Sequence, residues 1–273
     1  MITVYTKKSL TLKEFNQHPF LQSLKEQRSA IIAELNRDDS HDWTLDDVTV
    51  KCLNVLFIGQ TGTGKSTLIN RITGGEYMLT DDVRCCTKEM GSVDFKLSSK
   101  CSLCFCDMPG IGENSIADAQ YYEWYRRMFD MSDCVVYLLR AEKRDYALDL
   151  EEFQRLREIN NKKLILGLGC VDKLPPLNRS QPFRLSSEQK EVLKQKIDDI
   201  RKLFKVNKIF PFSATENYKI DKLTEKICEV LLNNLGISWN EKIIEGKICR
   251  DIEGKICRDG FLSLGNLFKL KVL

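Results

Sequence analysis

The stretch that decides the fold is Leu53–Ser66, which reads LNVLFIGQTGTGKS. Its first half, Leu53–Ile58, is a nearly continuous apolar run, which is typical of a strand buried on both faces of a parallel sheet. Its second half, Gly59–Ser66, matches the pattern G-x-x-x-x-G-K-[ST], and a helical pattern follows over Lys65–Ile72. A glycine-rich turn between a buried strand and a helix N-terminus predicts a phosphate-binding loop.

Each part of this loop has a predicted role in holding the phosphates of a nucleotide. The glycines let backbone N–H groups turn inward around a β-phosphate, and the helix that follows adds its positive end. Lys65 is expected to bridge the β- and γ-phosphates, and Ser66 to ligate Mg²⁺. The predicted nucleotide contacts of the loop are Gly59, Gln60, Thr61, Gly62, Thr63, Gly64, Lys65, Ser66 and Thr67.

Strands and helices alternate over the following part of the chain. Further apolar runs lie at Ser102–Cys106, Cys134–Leu139, Leu164–Leu168 and, shorter, Lys208–Phe212. Helical patterns lie at Ala117–Phe129, Leu148–Asn160, Ser187–Phe204 and Ile220–Leu235. Gly91–Leu97 and Cys101–Asp107 form a predicted hairpin that adds an antiparallel edge strand. This order predicts an α/β domain, with a mostly parallel sheet and helices on both faces.

Two more elements complete the predicted phosphate site. Asp107–Gly110 (DMPG) follows an apolar strand, where the carboxylate can hold Mg²⁺ through water and the Gly110 amide can reach a γ-phosphate. Thr87 can offer its hydroxyl to Mg²⁺ and its amide to the γ-phosphate, which would order its loop only around a triphosphate. Thr80 and Thr73 are the alternatives, and Thr87 is favoured because it lies immediately before the hairpin. The predicted metal ligands are Ser66, Thr87 and Asp107, and the predicted catalytic residues are Lys65, Thr87 and Gly110.

In this order the motifs resemble the translation-factor-related GTPases, and among them the Era-like group with its 50S ribosome-binding GTPase domain. The residues that carry the resemblance are GQTGTGKS, Thr87, DMPG, VDK at Val171–Lys173 and SAT at Ser213–Thr215. The stretches DMPGIGEN and DCVVYLLRAEKRDYALD look like a bacterial subgroup of small GTPases. The resemblance covers about Leu53–Leu235 and implies a Ras-like P-loop fold with a six-stranded sheet. It also implies Mg²⁺-dependent binding of GTP and GDP, and hydrolysis of GTP.

The base-reading motif departs from the family pattern N-K-x-D, because aligning on Asp172 gives GCVD at residues 169–172. Asp172 can still accept from the guanine N1–H and exocyclic amine, a pair of bonds that adenine cannot return. Lys173 is expected to stack its stem on the base, and Ser213 and Ala214 to give backbone donors to the guanine O6. GTP is therefore favoured, and a relaxed NTPase or ATPase is the alternative.

The residue after DMPG is Ile111, where Ras has a glutamine that orients the attacking water. An isoleucine can neither donate nor accept a hydrogen bond, so slow hydrolysis is expected unless a partner, a second copy of the chain or Glu113 positions the water. This favours a nucleotide-controlled switch with an unidentified effector or activating protein. The alternative is a nucleotide-gated binding module with negligible turnover.

The rest of the chain predicts three parts: a helical arm at residues 1–50, the GTPase domain at 51–236, and a helical tail at 237–273. In the arm, Leu21–Asn36 has apolar residues at helical spacing, and in the tail Ile244–Asp251 recurs unchanged as Ile252–Asp259. The tail is interpreted as a packing helix. Reversible contact with a membrane surface or a partner is the alternative.

Composition sets limits on the partners. The chain has 273 residues, 42 of them basic and 39 acidic, for a net charge of +3. Such a balance excludes a polycation that binds nucleic acid by charge alone, so DNA is not expected, and contact with the ribosome or RNA has no supporting motif. Eleven cysteines without a secretory signal favour a reducing cytoplasm.

Two clusters of reactive or charged side chains are interpreted as structural. Cys101, Cys104 and Cys106 have metal-like spacing, but on a strand Cys101 points away from the other two, which favours core packing over zinc. The charged side chains on both sides of the apolar run Cys134–Leu139 are interpreted as a solvated surface rather than a binding rim. These are Arg126, Arg127, Arg140, Lys143 and Arg144.

Overall fold

The computed structural model describes residues 4–10, 22–37, 42–45, 48–78, 90–110, 125–161, 163–177, 180 and 182–237. The chain divides into two units, Met1–Ser238 and Trp239–Leu273, and all of the described residues belong to the first. The predicted tail helix and its repeated octapeptide therefore lie outside the described residues, as does most of the helix predicted at Ala117–Phe129, of which residues 125–130 are helical.

The described residues form strands and helices in alternation. The strands are β1 (Val4–Leu10), β2 (Asp42–Leu45), β3 (Val48–Gly59), β4 (Met90–Lys96), β5 (Cys101–Asp107), β6 (Cys134–Arg140), β7 (Leu164–Gly169) and β8 (Phe210–Pro211). The helices are α1 (Gln22–Leu35), α2 (Lys65–Thr73), α3 (Ala147–Ile159), α4 (Ser187–Phe204) and α5 (Ile220–Asn234). Val171–Lys173 is a short 3₁₀ turn.

All of these strands belong to one sheet, with the order β1-β4-β5-β3-β6-β7-β8 and with β2 beside β3. β3 pairs in parallel with β5 and β6, and the parallel order continues through β7 to β8. β4 and β5 form the predicted antiparallel hairpin. The predicted α/β fold, with six mostly parallel strands from β3 to β8, is confirmed, and two N-terminal strands extend it.

Both faces of the sheet are covered. On one face, Leu56 and Tyr137 pack in a cluster with Phe153 of α3 and Phe204 of α4. Successive residues of a strand point to opposite faces, and Phe57, which points the other way, is also fully buried. The continuous apolar runs in the sequence reflect this burial on both sides.

The N-terminal region differs from the predicted helical arm. Its helix is present as α1, with Leu24, Ile31 and Leu35 buried, as the apolar spacing predicted. The same region also contributes β1, which pairs in parallel with β4, and β2, which pairs antiparallel with β3. β4 is therefore not the edge strand that the sequence predicted. β1 reads VYTKKSL, a polar segment without clear alternation, and its pairing satisfies backbone groups that β4 would otherwise expose.

The cysteines of β5 are core residues: Cys101, Cys104 and Cys106 are all buried in that strand. No described helix combines the length and the apolar character that crossing a bilayer requires.

The aromatic contacts of the central sheet give a stability prediction. The Phe105 ring is fully buried, with its centroid 5.9 Å from that of Phe57 and 5.4 Å from that of Phe95. Phe105→Ala should lower the free energy of unfolding by about 3–5 kcal/mol, because a cavity replaces these contacts. Urea unfolding followed by circular dichroism measures the loss.

Leu177→Ala is the control, because Leu177 is 69% exposed and its truncation should change stability by less than about 0.5 kcal/mol. Should Phe105→Ala fail to fold, Phe105→Leu should show a smaller loss of the same sign. Equal stability of the two truncations would contradict this packing.

Candidate functional site

The phosphate loop has a backbone that only glycine adopts readily at three positions. Gly62 and Gly64 have φ angles of 78° and 86°, in the left-handed region. Gly59 has a φ of 149°, and a Cβ there would lie 2.5 Å from the carbonyl oxygen of Leu138 on β6. These residues hold the predicted turn between β3 and α2 in place.

The first turn of α2 presents backbone N–H groups without a side-chain cap. Its N-cap residue is Gly64, which has no side chain to accept from them, and the turn contains no acidic residue. The first N–H groups of a helix have no acceptor within the helix, and the helix dipole gives them positive character. This end of α2 is therefore suited to bind an anion.

Lys65 lies under the loop with its ammonium group turned back toward it. The side chain is 5% exposed, and its Nζ donates to the carbonyl oxygens of Gly59 at 3.0 Å and Gln60 at 3.2 Å. A phosphate oxygen would be a stronger, charge-assisted acceptor than either carbonyl.

Ser66 and Asp107 meet beside Lys65. The parallel pairing of β3 and β5 sets Asp107 opposite Phe57, and the Ser66 hydroxyl donates to Asp107 Oδ2 at 2.5 Å. A hydroxyl and a carboxylate oxygen at one point are the hard oxygen ligands that Mg²⁺ takes, so these two residues fit the predicted metal site. Thr87, the third predicted ligand, lies outside the described residues, as do Thr80, Ile111 and Glu113.

The DMPG turn touches the phosphate loop directly. A Cβ on Gly110 would lie 2.6 Å from both the Cα and the backbone nitrogen of Thr61, so only glycine fits there. Upstream, the Met108 amide donates to the Phe57 carbonyl at 3.3 Å, and the Tyr125 hydroxyl donates to the Pro109 carbonyl. The turn that follows β5 is therefore held against the loop that follows β3.

The two predicted base-reading turns are neighbours at the ends of β7 and β8. The Phe212 amide donates to the Leu168 carbonyl at 2.9 Å, and the Val171 amide donates to the Phe212 carbonyl at 3.3 Å. Asp172 then presents a buried Oδ1 that no donor among the described residues reaches. An acceptor of this kind is costly to bury unless a ligand supplies the donor.

The Ser213–Thr215 turn presents one open donor rather than the predicted two. The Ser213 amide donates to the Tyr218 carbonyl at 3.0 Å, so it is not available to a base, and the Ser213 hydroxyl accepts from the Glu216 amide at 3.2 Å. The Ala214 amide has no acceptor within the described ranges. Ser213 thus closes the turn, and Ala214 is the residue whose N–H can reach a ligand.

The Ser213–Thr215 turn is also hydrogen-bonded to α2, the helix that follows the phosphate loop. Arg71 of α2 donates through Nε to the Ala214 carbonyl at 2.7 Å and through an Nη to the Thr215 carbonyl at 3.0 Å. Lys173, whose stem was predicted to stack on a base, is exposed at the end of the Val171–Lys173 turn, and its amide donates to the Cys170 carbonyl at 3.0 Å.

Residue 169, where the family pattern has asparagine, lies against the Phe212 ring. A Cβ on Gly169 would lie 3.1 Å from Phe212 Cζ, and the Phe212 ring is only 2% exposed, so it has little room to move. The same ring lies 3.2 Å from the position of a Cβ on Gly167. A side chain at residue 169 would therefore press on a buried ring, which would have to shift by a few tenths of an ångström.

Cys170 stands where the family pattern has lysine. It has a left-handed backbone, with a φ of 57°, and burial, aided by the nearby Glu142, raises the pKa of its thiol to about 11. The thiol is therefore neutral near pH 7, so it contributes neither the charge nor the length of a lysine.

The end of β6 and the segment after it, whose charged side chains the sequence analysis interpreted as solvated surface, contact the phosphate loop. Arg140 donates through an Nη to the Gly62 carbonyl at 2.7 Å, and Lys143 Nζ donates to the side-chain oxygen of Gln60 at 2.7 Å. That interpretation is wrong for these two residues. The signal that could have revealed them is their position just after a buried parallel strand, at the sheet edge where the loop after β3 also lies.

Residues 54–169 match the family described as 50S ribosome-binding GTPase. The chain is 29% identical over 178 residues to the protein YfjP of Escherichia coli (strain K12), covering 64% of this chain and 60% of that protein. It is 24% identical over 182 residues to GTPase Era of Aquifex aeolicus (strain VF5), covering 65% of this chain and 56% of that one.

The fold is also similar to a solved structure of Aquifex aeolicus Era bound to GDP·AlF₄⁻. The TM-score is 0.54 at 22% identity, covering 66% of this chain and 57% of that one. The predicted resemblance to Era-like P-loop GTPases is thus confirmed, and the family match places it within residues 54–169. The chain spans less than two thirds of the length of these relatives.

The contact between Gly169 and Phe212 gives a second prediction. Gly169→Ala should lower the free energy of unfolding by about 1–3 kcal/mol, the usual cost of adding a methyl group to a packed core. In a Phe212→Leu background the same substitution should cost less, because the smaller side chain leaves room for the methyl group. A double-mutant cycle from urea unfolding measures the coupling.

Gly236→Ala is the matched steric control, because a Cβ there would meet no atom within 4 Å, although its φ of 71° adds backbone strain. Its cost should be the same in both backgrounds. Additive losses for Gly169→Ala and Phe212→Leu would contradict the steric account.

Proposed function

We propose that this protein binds GTP and GDP together with Mg²⁺, hydrolyses GTP slowly, and acts as a nucleotide-controlled switch. One observation carries the proposal. The Ser66 hydroxyl and the Asp107 carboxylate meet at 2.5 Å beside a buried Lys65, at the uncapped N-terminus of α2. The match to a GTPase family and the similarity to Era support the guanine nucleotide.

The phosphates are proposed to lie in the loop formed by residues 59–67. The inward amides and the start of α2 surround the β-phosphate, and Lys65 exchanges its carbonyl partners for phosphate oxygens. Ser66 and Asp107, with Thr87, are proposed to hold Mg²⁺, which neutralises phosphate charge when it is bound. Gly110 lies against Thr61, so its amide is proposed to reach the γ-phosphate.

The base is proposed to lie between the two turns that end β7 and β8. Guanine presents an N1–H and an exocyclic amine to the open carboxylate oxygen of Asp172, and its O6 to the open amide of Ala214. Adenine has no N1–H and presents an amine where guanine has O6. It would leave the buried acceptor unpaired, at a cost of about 1–3 kcal/mol. Lys173 is proposed to cover the base with its stem.

Slow hydrolysis is proposed from Ile111, which follows the DMPG turn directly. Lys65, Gly110 and Thr87 can contact the γ-phosphate, but an isoleucine at this position cannot orient a water. An activating protein or a second copy of the chain is proposed to supply that group, as partners do for other switch GTPases.

The base specificity can be inverted by one substitution. Asp172→Asn should weaken GDP binding at least tenfold and favour xanthosine diphosphate, because an amide nitrogen can donate to the carbonyl that xanthine carries in place of the guanine amine. Competition against a fluorescent guanine nucleotide measures the affinities of GDP, ADP and xanthosine diphosphate for each variant.

The matched control is Asp198→Asn, which removes a carboxylate that is 50% exposed on α4 and should leave all three affinities unchanged. Equal affinities of the wild-type protein for GDP and ADP would contradict guanine recognition. An Asp172→Asn variant that retains the wild-type order of affinities would contradict the role of Asp172.

Turnover gives a separate test. The isolated protein should release phosphate from GTP at a rate on the order of 10⁻⁴ per second in a single-turnover assay. Ile111→Gln should raise this rate, because the amide can orient a water, whereas Ile111→Leu should leave it unchanged. Rapid release by the wild-type protein alone would overturn the proposal of slow hydrolysis without affecting nucleotide binding.

A further inference from the structure

We propose that Gln60, Lys143 and Asp149 form a side-chain clamp that holds the phosphate loop to the segment after β6 and to the first turn of α3. The inference rests on the proposed binding of a nucleotide in that loop. All three residues act through the loop backbone, so they are positioning residues.

The three side chains form a closed ring of hydrogen bonds. Gln60 Nε2 donates to Asp149 Oδ2 at 3.0 Å, Lys143 Nζ donates to Gln60 Oε1 at 2.7 Å, and Lys143 Nζ donates to the same Asp149 oxygen at 2.9 Å. An ammonium group only donates and a carboxylate only accepts, so an amide between them has both ends satisfied in one orientation only. The ring therefore fixes the direction of the Gln60 side chain.

The buried position of Asp149 would be unusual for a residue that served only to stabilise the fold. Its side chain is almost completely buried, and burial raises its pKa, while the Lys143 ammonium group opposes that rise. Its second oxygen, Oδ1, accepts from the buried Tyr137 hydroxyl at 3.3 Å. Its ionic partner Lys143 is 31% exposed, and such a partly buried pair is often no more stabilising than apolar side chains would be, so its presence points to a positioning role.

The position of Asp149 in the first turn of α3 accounts for a carboxylate there, because helix N-termini favour negative charge. It does not account for the bonds to a residue of the phosphate loop. Those bonds connect α3 to the loop after β3, at a sequence separation of 89 residues between Gln60 and Asp149.

The clamp acts on the site through the backbone carbonyl of Gln60. Its carbonyl oxygen accepts from Lys65 Nζ at 3.2 Å, from the Thr63 amide at 3.2 Å and from the Thr63 hydroxyl at 2.9 Å. Holding the Gln60 side chain therefore holds the carbonyl to which Thr63, in the middle of the loop, donates twice, and from which Lys65 turns to a phosphate.

The same segment holds the loop at a second point. Arg140 donates to the Gly62 carbonyl at 2.7 Å while its Nε donates to Glu142 at 2.7 Å. Tyr146 in turn donates from its hydroxyl to the Arg140 carbonyl at 2.7 Å, and Lys196 of α4 donates to the Lys143 carbonyl. The segment that contains Lys143 is therefore itself held in place, by Tyr146 and by Lys196 of α4.

The place of the clamp follows from the order of the strands. β6 lies directly beside β3, the strand that leads into the phosphate loop, whereas β7 is one strand further away. Side chains at the end of β6 and just after it are therefore the nearest neighbours that the sheet brings to the loop.

The test uses the full chain and compares variants that remove one member of the ring. Gln60→Leu retains the side-chain size and the Lys143–Asp149 pair but removes both amide bonds. It should weaken GDP and GTP binding about tenfold, mainly through faster dissociation, and leave the melting temperature without nucleotide close to that of the wild-type protein. Stopped-flow with fluorescent GDP and GTP, together with thermal unfolding, separates these effects.

Lys143→Met should reproduce the loss, and Lys143→Arg should restore most of it, because the guanidinium can donate to both partners. The double variant Gln60→Leu/Lys143→Met should lose no more than either single variant, because the members act as one unit. Lys222→Met is the matched control, since Lys222 is an exposed lysine of α5 that pairs with Glu225, and it should not change nucleotide dissociation.

Unchanged dissociation for Gln60→Leu in a protein that binds GDP overturns the clamp and leaves the proposed function standing. Additive losses in the double variant, or a melting temperature of Gln60→Leu that falls in proportion to its loss of affinity, also overturn it, since they indicate independent or merely structural roles. A wild-type protein that binds no guanine nucleotide overturns the proposed function and the clamp together.

Discussion

The N–H groups that begin α2 have no acceptor within their helix, and the rest of the structure is arranged around them. β3 ends at Gly59 and α2 begins at Lys65, so the chain between them must turn sharply with its amides facing inward. The left-handed glycines make that turn, and β5 and β6 lie on either side of β3, so the segments that follow them meet the loop. Helix N-terminal N–H groups become a binding site only when neighbours keep the loop from collapsing onto them.

Much of the fold was predictable because buried strands and helices have recognisable patterns of apolar residues in the sequence. The continuous apolar runs located β3, β5, β6 and β7, since parallel strands are covered on both faces. β1 was missed, because the pairing of an edge strand depends on backbone hydrogen bonds and leaves little trace in side-chain pattern. The strand predicted at Lys208–Phe212 is reduced to Phe210–Pro211 in the structure. Proline has no N–H to donate to a neighbouring strand, which limits such pairing.

The candidate site was predictable where one local motif fixes one role. The phosphate loop and the Ser66–Asp107 pair are of this kind, because strand pairing brings the ends of β3 and β5 together. Gly169 lies against a ring far along the chain, at Phe212, and the spacing of a motif does not reveal such a contact. The ring of Gln60, Lys143 and Asp149 likewise joins residues that are close only after folding. The Ser213 amide donates to the Tyr218 carbonyl, and no short motif encodes the turn that brings these two residues together.

The packing of Phe212 over the two glycines of β7 also constrains how this chain can change over evolutionary time. Enlarging residue 169 before residue 212 shrinks creates a clash, and shrinking residue 212 first leaves a void in the interior, so both single steps pass through a less stable protein. The two positions are therefore an epistatic pair, and a lineage with little stability in reserve is held at its present combination. Change would come more easily at exposed residues of the turns that follow β7 and β8, such as Lys173 and Thr215, which can be replaced one at a time.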